Sequence, residues 1–211
     1  WQKILKEHPE KQVKVRLGDY ANPENYAPEK RLLMDQKLSV YIQDILNNKL
    51  DSKTPPYAGN FTLPIDFLAS IGANIPNLYP VEVFEAPTVW LGTKNCITPL
   101  HRDSSDNFAI HITGKKRWTI FSPADAPHLY MSSVSASKGG DFATSAIDLR
   151  SPNLHLFPEF SKAHPITFDV DSGETLYLPM GWSHFVENLE PSLMVNYWLS
   201  VEPIGAAFLR R

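Results

Sequence analysis

From Val81 onward the chain is a succession of short runs rich in β-branched and aromatic residues: VEVFE, PTVWLG, CITPLHRD, NFAIHIT, KRWTIFS, ITFDV, ETLYLP, SHFVEN and LMVNYWLS. Gly92, Gly114, Asp171-Ser172-Gly173 and Pro191-Ser192 separate many of them. Runs of this composition bounded by turn formers read as strands, and eight or nine of them predict a mainly β domain, a barrel or a sandwich. At 211 residues one large domain is enough, because β-barrels often reach this size undivided. The 18 prolines are spread throughout, which suits loop-rich β structure better than a linker.

Ahead of this region, Trp1 to His8 reads as the end of a helix, and Val13, Val15 and Leu17 alternate with Lys14 and Arg16 as in a half-exposed strand near 11–18. Pro28 suits a helix's first turn. Met34, Leu38, Tyr41, Ile42, Ile45 and Leu46 then recur at spacings of three and four, which predicts a helix with one apolar face against the sheet. Pro55 and Pro56 stop further helix, and Pro64 to Ile71 predicts a short second one. Residues 1–80 thus form a region packed on a barrel core at 81–202, within one structural domain. Between Pro123 and Pro165 the strand pattern stops. An insertion of about 131–153, rich in Ser, Gly and Ala from Ser132 to Ser145, reads as mobile and as part of a substrate mouth.

A net charge of −3 gives no global field to attract nucleic acid, and no apolar run approaches the roughly 18 residues of a membrane span. The chain is expected to be soluble and free of membrane partners. Cys96 is the single cysteine, so no internal disulfide forms, which favours an intracellular site, cytoplasmic or nuclear. The chain opens at Trp1 without a methionine or a signal segment and reads as a fragment.

Chemistry gathers at His101-Arg102-Asp103. In an extended strand His101 and Asp103 share a face while Arg102 points the other way. One imidazole and one carboxylate can therefore reach one ion. His184, after the run Leu176-Tyr177-Leu178-Pro179 and the turn Met180-Gly181-Trp182, stands where a later strand could bring a third donor. Two imidazoles and a carboxylate on one side of a metal make the facial triad of non-haem Fe(II) oxygenases, with positions left open. His8, His128, His155 and His164 lie in polar or proline-flanked loops and read as surface residues; His111 reads as an inward-facing residue rather than a ligand.

Thr98-Pro99-Leu100-His101-Arg102-Asp103, Asn107-Phe108, Gly114-Lys115-Lys116-Arg117, Gly173 to Pro179, Trp182-Ser183-His184 and Val195-Asn196-Tyr197-Trp198 together resemble the Jumonji-C (JmjC) cupin-like oxygenases that depend on Fe(II) and 2-oxoglutarate. The similarity runs from about 81 to 200 and is strongest to the small hydroxylases, the factor-inhibiting-HIF-like subgroup. It implies a double-stranded β-helix, the cupin or jelly-roll fold, with N-terminal helices packed on the barrel. It implies Fe(II) held by His101, Asp103 and His184, no catalytic residue beyond these ligands, and 2-oxoglutarate and dioxygen as cosubstrates. Lys116 matches the lysine that pairs with the far carboxylate of 2-oxoglutarate, with Thr98 and Tyr57 as hydroxyl donors and Asn107 and Asn196 lining the cosubstrate. A buried dicarboxylate needs such a fixed cation; Lys115 or Arg117 could instead be the inward member of the basic triplet. Trp90, Trp118, Trp182 and Trp198 read as barrel packing, with Trp90 and Trp198 also candidates to line the pocket.

The resemblance implies hydroxylation of a protein side chain coupled to conversion of 2-oxoglutarate to succinate, since aspartate in His101-x-Asp103 is more usual among hydroxylases of this family than among its demethylases. A tRNA-base hydroxylase, a lysyl demethylase and a non-catalytic metal-binding scaffold are the alternatives. A protein or peptide is the expected partner, RNA the second choice, and the oligomeric state is open.

Overall fold

The computed structural model describes residues 1–26, 30–135 and 141–200. Pro28, the middle of the proposed insertion and the end of the expected core at 201–202 lie outside them. The N-terminal region contributes α1 (Gln2–Glu7), β1 (Gln12–Leu17), α2 (Pro23–Tyr26), β2 (Leu32–Lys37), α3 (Leu38–Leu46), β3 (Tyr57–Phe61) and α4 (Ile65–Ser70). Strands β4 (Thr88–Gly92), β5 (Ile97–Arg102), β6 (Asn107–Thr113) and β7 (Lys116–Phe121) follow. A hairpin of β8 (Met131–Ser135) and β9 (Asp141–Ser145) comes next, then β10 (Ile166–Val170), β11 (Thr175–Leu178), β12 (Ser183–Asn188) and β13 (Ser192–Trp198).

The strands form two antiparallel sheets, ordered β11-β6-β13-β4-β3-β1-β2 and β10-β7-β12-β5-β9-β8. Ala109, Leu178 and Met194 from the first pack against Trp118, Val170 and Val186 from the second. This is the expected jelly roll, mainly β with few helices.

Alternation sorts the first sheet's residues to two faces. Val13 and Val15, Val89 and Leu91, Phe108 and Ile110, and Leu193, Val195 and Tyr197 face the helices, where Leu38, Tyr41, Ile42 and Ile45 of α3 and Phe67 and Leu68 of α4 complete a closed core. The neighbours between them, including Arg16, Trp90 and Asn196, turn toward the other sheet and line a cavity there.

Three sequence expectations need correction. The helix expected from Pro28 through Met34 begins only at Leu38, because Leu32–Lys37 pairs residue for residue with β1 and its backbone groups are taken by the ladder. Met34 is therefore a strand residue, and exposed. Val81–Val83 is a 3-10 turn rather than a strand; only Phe84 bridges, to Leu199. The Ser-rich insertion is no plain loop: β8 and β9 pair, and β9 joins β5 with Thr144 opposite His101. Serine and threonine tolerate a ladder that composition alone read as coil.

Candidate metal centre

On β5 and β12, His101 and His184 are direct cross-strand partners, their ring centroids 4.0 Å apart. Asp103 follows β5, with Oδ1 3.7 Å from His101 Nε2 and Oδ2 3.8 Å from His184 Nε2. The three donors lie within 4.8 Å of one another. His101 Nδ1 bonds the Pro99 carbonyl at 2.8 Å, and His184 Nδ1 lies 3.4 Å from the Trp182 carbonyl. Each carbonyl fixes the ring proton on Nδ1 and leaves the Nε2 lone pair facing the carboxylate. Burial holds His101 below its ordinary pKa and brings His184 down to about 3, so both rings are neutral at pH 7 and their contacts with Asp103 are not ion pairs. Trp198 Nε1 donates to Asp103 Oδ2 at 3.4 Å. Two neutral imidazoles and a carboxylate aimed at one point suit an oxygen-activating divalent metal.

Strict alternation would send Thr98 and His101 to opposite faces. A bulge in β5 prevents this: Thr98 pairs with Val186 and His101 with His184, so three steps on β5 match two on β12. Pro99 sits within the bulge, where its missing N–H is tolerated. Thr98 therefore lines the same cavity of about 300 Å³ as the triad, together with Asn196, Trp90, Trp118 and Trp198. Arg102 is not among the lining residues. A larger cleft of about 580 Å³, between the 71–78 segment and β11, contains none of the three donors.

Lys116 opens β7 fully buried, and its Nζ donates to the Tyr57 hydroxyl at 3.2 Å. Its neighbours point outward and are paired, Lys115 with Asp171 at 3.0 Å and Arg117 with Asp169 at 2.8 Å, which resolves the basic triplet in favour of Lys116 as the inward residue. Among the described residues no carboxylate pairs with Lys116, and burial lowers its pKa to about 7. Burial also pushes the Tyr57 hydroxyl well above its usual value, the Cys96 thiol adding to this while Arg16 and a hydrogen bond from Thr98 oppose it.

Lys116 and Tyr57 thus stand together behind the cavity wall rather than on it, and Asn107 is likewise absent from the lining. Both polar atoms of the Asn107 side chain, and Oδ1 of Asn196, are buried without a hydrogen-bond partner. A lone buried cation beside a hydroxyl is the environment a carboxylate fits. His111 is buried, as expected of an inward residue; its Nε2 accepts from Trp118 Nε1 at 3.3 Å, and Trp118 stacks on His184. His8 is half-buried edge-on to Phe67, not a free surface residue.

Sequence reasoning missed Arg16, Tyr26, Arg31 and Asn60, which line the cavity from the N-terminal region. The alternation of β1 marked Arg16 as opposite in face to Val13 and Val15. Only the pairing of β1 with β3, and of β3 with β4, brings that face over the triad.

The sequence profile of the cupin-like domain matches residues 7–203. HSPB1-associated protein 1 of Rattus norvegicus is 33% identical over 126 residues, 59% of this chain and 26% of that protein. JmjC domain-containing protein C of Dictyostelium discoideum is 32% identical over 142 residues, 64% of this chain and 33% of that protein. Lysine-specific demethylase 8 of Xenopus tropicalis is 32% identical over 111 residues, 53% of this chain and 24% of that protein. The alignments span about a quarter to a third of these relatives.

Proposed function

The chain belongs to the cupin-like domain family, and on that premise we propose that it is an Fe(II)- and 2-oxoglutarate-dependent oxygenase that hydroxylates a protein side chain. The observation that carries this reading is the convergence of His101 Nε2, His184 Nε2 and the Asp103 carboxylate on one point. His101, Asp103 and His184 hold the metal. Lys116, Tyr57 and Thr98 receive the far carboxylate of 2-oxoglutarate, and Asn107 and Asn196 give it amide contacts. When bound, the metal and cosubstrate supply the oxidation, in which dioxygen converts 2-oxoglutarate to succinate and carbon dioxide and one oxygen atom enters a substrate C–H bond.

The chain's own residues supply position and environment. Pro99 and Trp182 carbonyls keep the imidazole tautomers that leave Nε2 free, and Trp198 steadies the carboxylate. Trp90, Trp118 and Trp198 surround the donors with ring surface that limits water. Residues 1–80 are part of the same working unit, since Arg16, Tyr26, Arg31 and Asn60 form one wall of the cavity.

Relatives named for association with HSPB1 and for lysine-specific demethylation support a protein substrate over RNA. The second of these names also favours a second reading, removal of an N-methyl group. Among the described residues no helix is long and apolar enough to cross a membrane. An intracellular location accompanies the proposal, supported by the chain's single thiol, Cys96.

Purified protein with Fe(II), ascorbate and 2-oxoglutarate should bind the cosubstrate and release succinate, and His101→Ala should do neither. Equal behaviour of the two proteins would refute the oxygenase. Mass spectrometry of peptide pools then separates gain of one oxygen atom from loss of a methylene, and the same gain confined to tRNA would overturn the protein substrate.

A further inference from the structure

Arg16 is buried to 5% exposure at the cavity wall, and its Nη1 has no hydrogen-bond partner. Its guanidinium lies 5.0 Å over the Trp90 ring and 5.6 Å over the Tyr26 ring, and Tyr26 in turn is 5.9 Å from the His101 ring. No acidic side chain pairs with Arg16 among the described residues. Among the described residues the one carboxylate on the cavity wall, Asp103, faces the two histidines. A buried guanidinium over two rings with an unused N–H is an oxyanion receptor, because its planar fork matches a carboxylate.

A second observation points the same way. An outer groove of about 350 Å³ meets the cavity at Arg16, Arg31 and Asn60, which line both. Its other cations are Lys11 and Lys14, and among the described residues its lining holds no carboxylate, although Lys14 is engaged by Asp35 at 2.9 Å. Asn60 stands exposed at this junction because an extra residue in β3 bulges there, with φ +63°. The charge of this entrance complements an acidic chain.

Resting on the oxygenase reading, we propose that the substrate is an acidic peptide that follows this groove and seats a carboxylate side chain on Arg16 beside the metal centre. The groove suits peptide better than single-stranded RNA, whose recognition relies on bases stacking on open aromatic faces. Here the Tyr26 and Trp90 faces are covered by guanidinium groups, Arg31 also lying over Tyr26, and Phe61, the only aromatic residue of the outer groove among the described residues, is buried.

The test measures binding of short synthetic peptides carrying Asp or Glu against counterparts carrying Asn or Gln at the same positions. Oligouridylate serves as an RNA probe, and both the metal-free chain and the chain loaded with Mn(II) and 2-oxoglutarate are used. Acidic peptides should bind wild type at least about tenfold tighter than their amide counterparts, Arg16→Met should remove the difference, and Arg16→Lys should keep part of it. Equal affinity of the two peptide sets for wild type overturns the proposal without any variant. So do discrimination that survives Arg16→Met, Arg16-dependent binding of oligouridylate in place of peptide, and loss of 2-oxoglutarate binding in Arg16→Lys, which would assign the guanidinium to the cosubstrate. Wild type that never binds 2-oxoglutarate refutes the oxygenase, while the peptide comparison on the metal-free chain still decides the role of Arg16.

Discussion

The two faces of the seven-stranded sheet are drawn from alternate residues of the same strands, yet they obey opposite rules. On the helix side, Val13, Val15, Val89, Leu91, Phe108, Ile110 and Val195 meet Leu38, Tyr41, Ile42 and Leu68 in a closed apolar core. On the cavity side, buried polar atoms of Arg16, Trp90, Asn107, His111 and Asn196 have no partner. Unsatisfied buried polar groups destabilise a fold, so their concentration on one face marks where stability has been given up for binding. The comparison separates residues that hold the fold from residues that would hold a ligand.

Substitutions on each face should therefore fail in different assays. Asp103→Ala or His184→Ala should weaken metal binding by well over the roughly 100-fold that loss of a supporting hydrogen bond costs, with little change in melting temperature; metal titration beside thermal unfolding checks both. A large drop in melting temperature would erase the contrast. Leu91→Ala and Ile42→Ala, on the helix face, should each cost about 2–5 kcal/mol in denaturant unfolding while the folded fraction keeps its metal affinity.

Lys116→Met should weaken 2-oxoglutarate binding by about 10- to 100-fold in calorimetry, from loss of a charge-assisted hydrogen bond, and leave the metal-free protein as stable or more so at pH 7. A subtler break is Gly59→Ala. Its added Cβ would lie 2.5 Å from the Trp90 ring, so Trp90 must move, at about 1–3 kcal/mol and with a reshaped cavity; quenching of tryptophan fluorescence would report the shift.

The smallest effect is a slope. His111 is brought down to about 3 and Lys116 to about 7 by burial, so between these values and their ordinary ones the unfolded chain holds more protons than the folded one. Stability of the metal-free protein should fall as pH drops from the usual histidine range toward 3 and rise from about 7 into the usual lysine range. Each group adds at most about 1.4 kcal/mol per pH unit. Unfolding across pH should show a shallower acid limb in His111→Leu, with the buried His101 and His184 keeping the rest of that slope, and a shallower alkaline limb in Lys116→Met.

Much of the second half of the molecule was legible from its residues. Short runs bounded by Gly114 and Asp171-Ser172-Gly173 became β6, β7, β10 and β11, because turn chemistry and strand composition act locally. Gly114 is a clear case: φ is +77° and an added Cβ would collide with the Pro191 carbonyl oxygen. The helix face of α3 was legible from Leu38 onward for the same reason. Met34 was not, since pairing with β1 overrode a helical spacing, and the Ser-rich hairpin was not, since its order comes from a ladder to β5.

By itself, the sequence determined which residues could act as donors and that His101 and Asp103 stand close together, because both are matters of composition and local geometry. Tertiary structure alone decided that Thr98 shares their cavity, through an extra residue at Pro99 and Leu100, and that Lys116 rather than Lys115 or Arg117 is buried. It alone carried Arg16 to the cavity that His101, Asp103 and His184 line, by laying β1 beside β3 and β3 beside β4. Strand register and sheet order depend on long-range pairing, which a residue's immediate neighbours do not specify.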